Sequence, residues 1–125
     1  MSLCVIAAGA TLRLAVAAFT LSWTHSIERT RWEEDWRVSP QGLHIVEARV
    51  KGSGAGMEPG EGARLAAGWW SWRPQIGFTA RLSLAASHAA PEGWRLCAEE
   101  RCIPIGARDA GPFAEGATLA VCDEN

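Results

Sequence analysis

His25 and Glu34 are the two residues of this 125-residue chain whose types and spacing are best suited to chemistry. Each interrupts a run of alternating residues at a position where its neighbours are apolar, and a short turn near Arg29 and Thr30 joins the two runs. We expect the cross-strand partner of His25 to be Glu34 or a residue beside it. A buried imidazole and carboxylate satisfy each other through a charge-assisted hydrogen bond. The pair is therefore either structural, fixing the hairpin in the core, or a ligand-binding and proton-handling pair in a Trp-lined cavity.

Ser26, next to His25, raises the question of a serine hydrolase. Neighbouring side chains on a regular strand point to opposite faces, so His25 cannot activate Ser26 there. The chain also has no Gly-x-Ser-x-Gly elbow. We expect the protein not to be an enzyme, and a hydrolase using Ser26 is the alternative that these observations weigh against.

A glycine-rich segment, GSGAGMEPG, occupies residues 52–60. It lacks the Lys-Ser/Thr of a P-loop, and no helical pattern follows it, so it is not a dinucleotide fingerprint either. It is either a bulged turn that needs positive φ or a nest of backbone N–H groups that accepts an anion such as a ligand carboxylate. The second interpretation adds these residues to the candidate ligand-binding site: Ser53, Gly54, Ala55, Gly56 and Met57.

Seven Trp residues demand either a core or a stacking surface. In the run 69–72, a strand would place Trp70 and Trp72 on one face and Trp69 on the other, so at least one indole covers a surface or an interface. Trp70 and Trp72 join His25 and Glu34 in the candidate site. Stacking on a sugar or a Pro-rich partner and packing under Arg73 or a neighbouring loop are the two interpretations.

The four Cys residues can form two disulfides. Cys97 and Cys102 flank a polar stretch of hairpin length, and Cys4 and Cys122 lie on apolar, strand-like segments near the two ends. Of the three connectivities, we predict 97–102 together with 4–122. The second bond closes a long loop, which the chain-entropy model values at about 4–5 kcal/mol.

The Cys-x4-Cys spacing could instead begin a zinc site that recruits His44 or His88. The second ligand pair has no recognisable spacing, so we expect no metal and no other cofactor. An even, pairable set of cysteines indicates an oxidising compartment.

Alternation of apolar and polar residues predicts strands rather than helices along the chain. Gly- and Pro-rich turns separate the strands, which is typical of an all-β fold, either a small antiparallel β-sandwich or a partly open barrel. We predict one domain over residues 1–125. The predicted strands are 3–7, 12–16, 19–27, 31–38, 43–50, 78–84, 94–98, 102–105 and 117–122.

Composition excludes several classes of protein. A net charge of −2 leaves no basic footprint, so we expect no nucleic-acid partner and no anionic membrane surface. Arg13 interrupts the apolar first 27 residues, so we expect no stable membrane insertion, and the start Met-Ser-Leu has no basic signal-peptide region. The pairable cysteines nevertheless suggest a periplasmic or extracytoplasmic protein. We therefore expect the sequence to be a mature or truncated form that lacks its export signal.

The segments that carry a resemblance are FTLSWTHSIE at 19–28, WEEDW at 32–36, EARV and GSGAGM within 47–57, GWW at 68–70 and the hairpin at 96–102. Together they resemble a family of small exported bacterial proteins classed as a domain of unknown function (DUF1850). The resemblance covers most of the chain and implies an exported protein, often encoded beside tripartite TRAP transporters of the TAXI class. It implies no established activity, cofactor or catalytic residue. The missing export signal departs from the family.

Two hypotheses of function follow. In the first, the protein is a non-enzymatic accessory to TRAP-type solute uptake that binds a small ligand, such as a carboxylate, or a transporter subunit. In the second, it is a purely structural or interaction module whose Trp residues form the core and whose partner binds a sheet edge. We expect Trp23, Trp32 and Trp36 to be core residues on one face of the hairpin.

Overall fold

The alternating segments of the sequence form antiparallel β-strands, as predicted. The computed structural model describes residues 1–24, 29–52, 60–86 and 92–122, and all bounds below refer to these residues. The strands are β1 (Ser2–Ala7), β2 (Ala10–Leu14), β3 (Ala18–Thr24), β4 (Arg31–Ser39), β5 (Gly42–Lys51), β6 (Arg64–Ala66), β7 (Trp69–Trp72), β8 (Arg81–Ala85), β9 (Trp94–Ala98), β10 (Arg101–Ile105) and β11 (Gly116–Cys122), with one 3-10 turn at Gly111–Phe113.

The strands make two antiparallel sheets. The smaller sheet has the order β2-β1-β11-β8, and the larger has the order β10-β9-β3-β4-β5-β7-β6. Neither sheet closes on itself, so the fold is an antiparallel β-sandwich and not a barrel. The prediction of an all-β fold is confirmed, and of its two forms, a sandwich or a partly open barrel, the structure has the sandwich.

The core lies between the two sheets. The smaller sheet contributes Leu3, Val5 and Leu119, and the larger contributes Leu21 and Leu96, each with at most 1% of its surface exposed. Leu3 and Val5 occupy alternate positions on β1 and so point to the same side of the small sheet. Full burial of one such side chain contributes roughly 1.5–3 kcal/mol.

A β-bulge in β5 keeps the apolar face of that strand in phase. Asp35 and Trp36 are adjacent on β4, yet their partners on β5 are two residues apart, which leaves Val46 as the extra residue. Ile45 and Ala48 are therefore both buried although they are three positions apart. The bulge lets the polar face of β4 meet the polar face of β5 along the rest of the pair.

Both predicted disulfides are present. Cys4 and Cys122 are bonded across the neighbouring strands β1 and β11, with Cα atoms 5.9 Å apart. Cys97 and Cys102 face each other across the β9–β10 hairpin and are bonded, with Cα atoms 4.0 Å apart.

The disulfide between Cys97 and Cys102 removes the two thiolates that the alternative zinc site required. The described residues contain no group of three or more His, Cys, Asp or Glu side chains that could hold a metal ion. His88 lies outside those residues.

The strand predicted at 78–84 is shorter than expected, because β8 begins at Arg81. Phe78 is 54% exposed, and the backbone of Thr79 exchanges two hydrogen bonds with Leu43 at the start of β5. Gly42 permits this close approach: its φ is +130°, and an added Cβ would lie 2.7 Å from the Thr79 carbonyl oxygen.

No helix in the part of the chain that the structure describes is long and apolar enough to cross a membrane.

Candidate functional site

The prediction that Glu34 lies opposite His25 is wrong. The residue opposite Glu34 in the β3–β4 pair is Leu21. The register is shifted by four residues from the prediction, and it brings Trp23 opposite Trp32. These two indoles stack with centroids 6.2 Å apart and planes within 5°. Aromatic cross-strand pairs stabilise a register, so the Trp23–Trp32 pair favours the observed register over the predicted one. His25 itself lies outside the described residues, as does Ser26.

The prediction that Trp70 and Trp72 share a face is confirmed. They lie opposite Val50 and Ala48 on β5, and Ala48 in turn lies opposite Glu34 on β4. Trp70 and Trp72 are therefore on the same face of the large sheet as Glu34.

Trp69 lies on the opposite face of β7. It pairs with Lys51, whose Nζ atom is 5.7 Å from the indole centroid. This is cation–π distance, so Trp69 covers a lysine on the outer surface and does not enter the core.

Three indoles and one carboxyl on the core-side face of the large sheet form what we call the aromatic patch: Trp23, Trp32, Trp72 and Glu34. Trp32 is at its centre, stacked on Trp23 and edge-on to Trp72, with that second pair of centroids also 6.2 Å apart. All four side chains are half-buried. The patch therefore combines a continuous aromatic surface with one titratable group.

The expectation that three Trp residues are core is correct for one of them. Trp36 is 8% exposed and stacks on Phe19 within the buried cluster. Trp23 packs against that cluster but stays half-buried, and Trp32 is half-buried as well. Trp23 and Trp32 therefore keep part of their indole surface exposed.

Glu34 is held by its neighbour Trp36, whose indole Nε1 donates a hydrogen bond to Oε1 of Glu34 at 3.1 Å. Burial raises the pKa of Glu34, and the hydrogen bond from Trp36 opposes this rise without cancelling it. The carboxyl thus takes up a proton at a higher pH than an ordinary glutamate, and it can then donate a hydrogen bond as well as accept one.

The glycine-rich segment meets the aromatic patch at its last residue. Gly60 lies so close to Trp72 that an added Cβ would overlap the indole. The candidate residues of that segment lie outside the described residues: Ser53, Gly54, Ala55, Gly56 and Met57.

An ion network on the solvent face of the large sheet was missed by the sequence argument. Arg49 donates from Nε to Glu33 at 2.8 Å, and from Nη1 to Asp35 at 2.8 Å and to Glu47 at 3.0 Å. Thr20 donates to Asp35 at 2.8 Å. The alternation of polar residues on β4 and β5 was the available signal, since it places these side chains on one face.

Hydrogen bonding and burial shift the pKa values of the network in opposite directions. The hydrogen bond to Asp35 raises the pKa of Arg49, although burial opposes it. Burial by itself would raise the pKa of Asp35, but the hydrogen bonds from Arg49 and Thr20 lower it overall. Because each of the three carboxylates accepts a hydrogen bond from Arg49, the network joins β4 to β5, and Arg49 is not free to bind a ligand.

Comparison with known proteins gives one family match, which covers the residues described above. A family model described as "Domain of unknown function (DUF1850)" matches residues 19–105. No curated protein matches the chain, and neither does any solved structure. The matched region holds the whole aromatic patch and the Arg49 network.

Proposed function

The chain belongs to the DUF1850 family, and from this premise we propose that it is a non-enzymatic, extracytoplasmic accessory to TAXI-class TRAP solute uptake. The aromatic patch is its binding surface for a transporter subunit. The observation that carries this proposal is the continuous contact of three half-buried indoles beside a carboxyl of raised pKa. The transporter class comes from the family resemblance described above.

The aromatic patch has the composition of a protein-binding surface. Trp supplies large contact area and is enriched among the residues that dominate binding energy. Glu34 adds one polar group that a partner's donor or acceptor can meet. Partly exposed indoles on a sheet face suit a protein partner, and binding of a small carboxylate at the patch is the alternative that the assay below tests.

The extracytoplasmic location is supported by the two disulfides. One joins strands near the ends of the chain, and the other closes the β9–β10 hairpin. Stable disulfides of this kind are typical of oxidising compartments.

The absence of catalysis is supported by the surroundings of Glu34. Its hydrogen-bond partner among the described residues is the Trp36 indole, which is neither a nucleophile nor a general base. A carboxyl held in this way can orient a donor or acceptor of a partner protein.

The test is a binding measurement between the oxidised protein and the purified solute-binding and membrane subunits of a TAXI-class TRAP transporter from the same organism. We expect saturable binding to one subunit, at least tenfold weaker in Trp32→Ser. The matched control is Trp69→Ser, since Trp69 is half-buried on the opposite face of the same sheet. Thermal midpoints establish that both variants are folded.

Three results would contradict the proposal. If the protein binds none of the subunits, a purely structural module is favoured. Equal losses in Trp32→Ser and Trp69→Ser would mean that the patch is not the surface. Turnover of a generic ester that disappears in Ser26→Ala would show an enzyme. Thermal shift with small carboxylates such as glutamate, repeated on Trp32→Ser, shows whether the patch takes a small ligand instead.

A further inference from the structure

We propose that a groove beside the start of β9 binds a small organic carboxylate with an apolar body. The groove has a volume of about 820 Å³ and lies between the ends of β3 and β9 and residues 107–109. This inference goes beyond the proposed function, because it names a ligand class and a second site that adjoins the aromatic patch at Trp23. A volume of this order suits a small organic ligand.

The lining of the groove combines cationic and aromatic side chains. Guanidinium groups come from Arg31, Arg95 and Arg108, and indoles come from Trp23 and Trp94. Guanidinium is the protein group whose geometry best matches a carboxylate, because it can donate two parallel hydrogen bonds. Indoles can cover the apolar part of the same ligand.

Arg31 is already held in place. Its Nη2 donates to the hydroxyl of Ser22 at 3.2 Å, and its Nε donates to Glu33 at 3.1 Å. Ser22 lies opposite Arg95 across the β3–β9 pair. Ser22 on β3 is therefore flanked by Arg31 on β4 and by Arg95 on β9. Because Arg31 is already held by hydrogen bonds, ligand binding needs little further ordering of this side chain.

Arg95 and Arg108 are exposed and form no ion pair among the residues that the structure describes. Two acidic residues, Glu92 and Asp109, also line the groove. Arg31 is already paired with Glu33, so Arg95 and Arg108 are the two guanidinium groups among the described lining residues that can meet a ligand. Two guanidinium groups beside two carboxylates favour a ligand of single negative charge over a multiply charged inorganic anion.

The aromatic side of the groove is rigid at Trp94. An added Cβ at Gly106 would lie 3.2 Å from Cζ3 of that indole, so the backbone at Gly106 packs against the ring. Trp23 is shared between the groove and the aromatic patch, since it also stacks on Trp32. A ligand in the groove would thus touch the residue that leads into the patch, which gives an intrinsic fluorescence signal.

The test is calorimetric titration of the oxidised protein at low ionic strength with benzoate, benzamide and sulfate. We expect saturable binding of benzoate, with at least tenfold weaker binding of the neutral isostere benzamide and of sulfate. Salt should weaken the benzoate affinity, because the arginines are exposed. Trp fluorescence should change over the same concentration range.

The decisive variant is Arg95→Gln/Arg108→Gln, which changes two exposed side chains and should leave the fold intact. We expect it to bind benzoate at least tenfold more weakly. Its matched control is Arg64→Gln/Arg81→Gln, which removes the same charge at two exposed positions outside the groove and should bind as the parent does.

Each contrary result overturns the inference in a recognisable way. Absence of saturable benzoate binding rejects the carboxylate class, and sulfate binding as tight as benzoate rejects the organic body. Unchanged affinity in Arg95→Gln/Arg108→Gln rejects the groove. The proposed function is judged separately, because subunit binding and its loss in Trp32→Ser do not depend on these arginines.

Discussion

Trp36 donates its indole N–H to the carboxyl of Glu34, with Nε1 and Oε1 3.1 Å apart, on the same face of β4. One of these residues is a buried core aromatic and the other is the titratable group of the aromatic patch. The hydrogen bond therefore ties the packing of the sandwich to the protonation state of its candidate binding surface.

Glu34 should make the stability of the protein depend on pH in the opposite sense to most carboxylates. Its pKa is raised on folding from an ordinary value near 4.5, so the folded state holds the proton more tightly than the unfolded state. Its contribution to stability is present below about 4.5 and is lost as the pH rises through the raised pKa. Urea unfolding of the parent and of Glu34→Gln from pH 4 to 8 measures this.

The expected result is a free energy of unfolding for the parent that falls relative to Glu34→Gln as the pH rises, and then levels off. Gln keeps an oxygen that can accept the hydrogen bond from Trp36, so the comparison isolates the ionisation. A difference between the two proteins that stays constant across this range would disprove the raised pKa.

Arg49 should matter for stability more than an ordinary surface arginine. Replacing it by Met leaves Glu33, Asp35 and Glu47 without their shared donor, and we expect the free energy of unfolding at pH 7 to fall by about 1–3 kcal/mol. Arg64→Met, at an exposed position, should change it by less than about 0.5 kcal/mol.

The effect of Arg49→Met should also shrink in acid. The pKa of Asp35 is lowered on folding from about 3.8, so the stability it contributes is present above that value and is lost as the pH falls through its folded pKa. Chemical denaturation of the parent and Arg49→Met between pH 2 and 7 tests this. A loss of stability that is the same at pH 2 and pH 7 would count against the network.

The two disulfides should differ in their effect on stability. Cys4 and Cys122 are 118 residues apart in sequence, whereas Cys97 and Cys102 are five apart. In the chain-entropy model, removing the first bond costs about 4–5 kcal/mol and removing the second costs about 2 kcal/mol.

Guanidinium unfolding of Cys4→Ala/Cys122→Ala and Cys97→Ala/Cys102→Ala gives the two values side by side. Intact mass before and after reduction with alkylation establishes that the remaining bond is formed in each variant. Equal losses of stability would show that loop closure does not govern the contribution of these bonds.

Gly60 should be required for the position of the Trp72 indole. A methyl group at residue 60 would overlap the ring, so Gly60→Ala must displace Trp72 from Trp32 or move the backbone. We expect a loss of about 1–3 kcal/mol in the free energy of unfolding and an altered near-ultraviolet circular dichroism spectrum.

Gly77→Ala is the matched control, since its added methyl would meet nothing within 4 Å. It should leave the Trp spectrum unchanged. If Gly60→Ala has the same spectrum and stability as the parent, the indole of Trp72 is not held against the chain at residue 60.

Much of the fold could be predicted from local pattern. Period-two alternation identified the β3 and β4 strands and assigned Trp23 and Trp32 to one face, because side chains alternate between faces whatever the partner strand is. The same rule separated Trp69 from Trp70. Cysteine number and placement predicted both disulfides, since each pair lies on segments with strand character near a hairpin or a chain end.

The register could not be predicted in the same way. Sliding one strand past another by four residues preserves every face assignment, so alternation alone could not choose between Leu21 and His25 as the partner of Glu34. The bulge at Val46 was hidden for a similar reason: an extra residue changes the phase of β5, and only pairing with β4 shows where it lies.

The sequence was enough to predict the all-β class, the faces of β3, β4 and β7 and the preferred disulfide pairs, because alternation and the placement of cysteines are local features. Tertiary structure decided which side chains meet across strands: Glu34 with Leu21, and Arg49 with Asp35. It also decided that Arg31 and Arg95 line the same groove. Such contacts depend on register and on sheet order, which arise from the sum of many packing terms along each pair of strands.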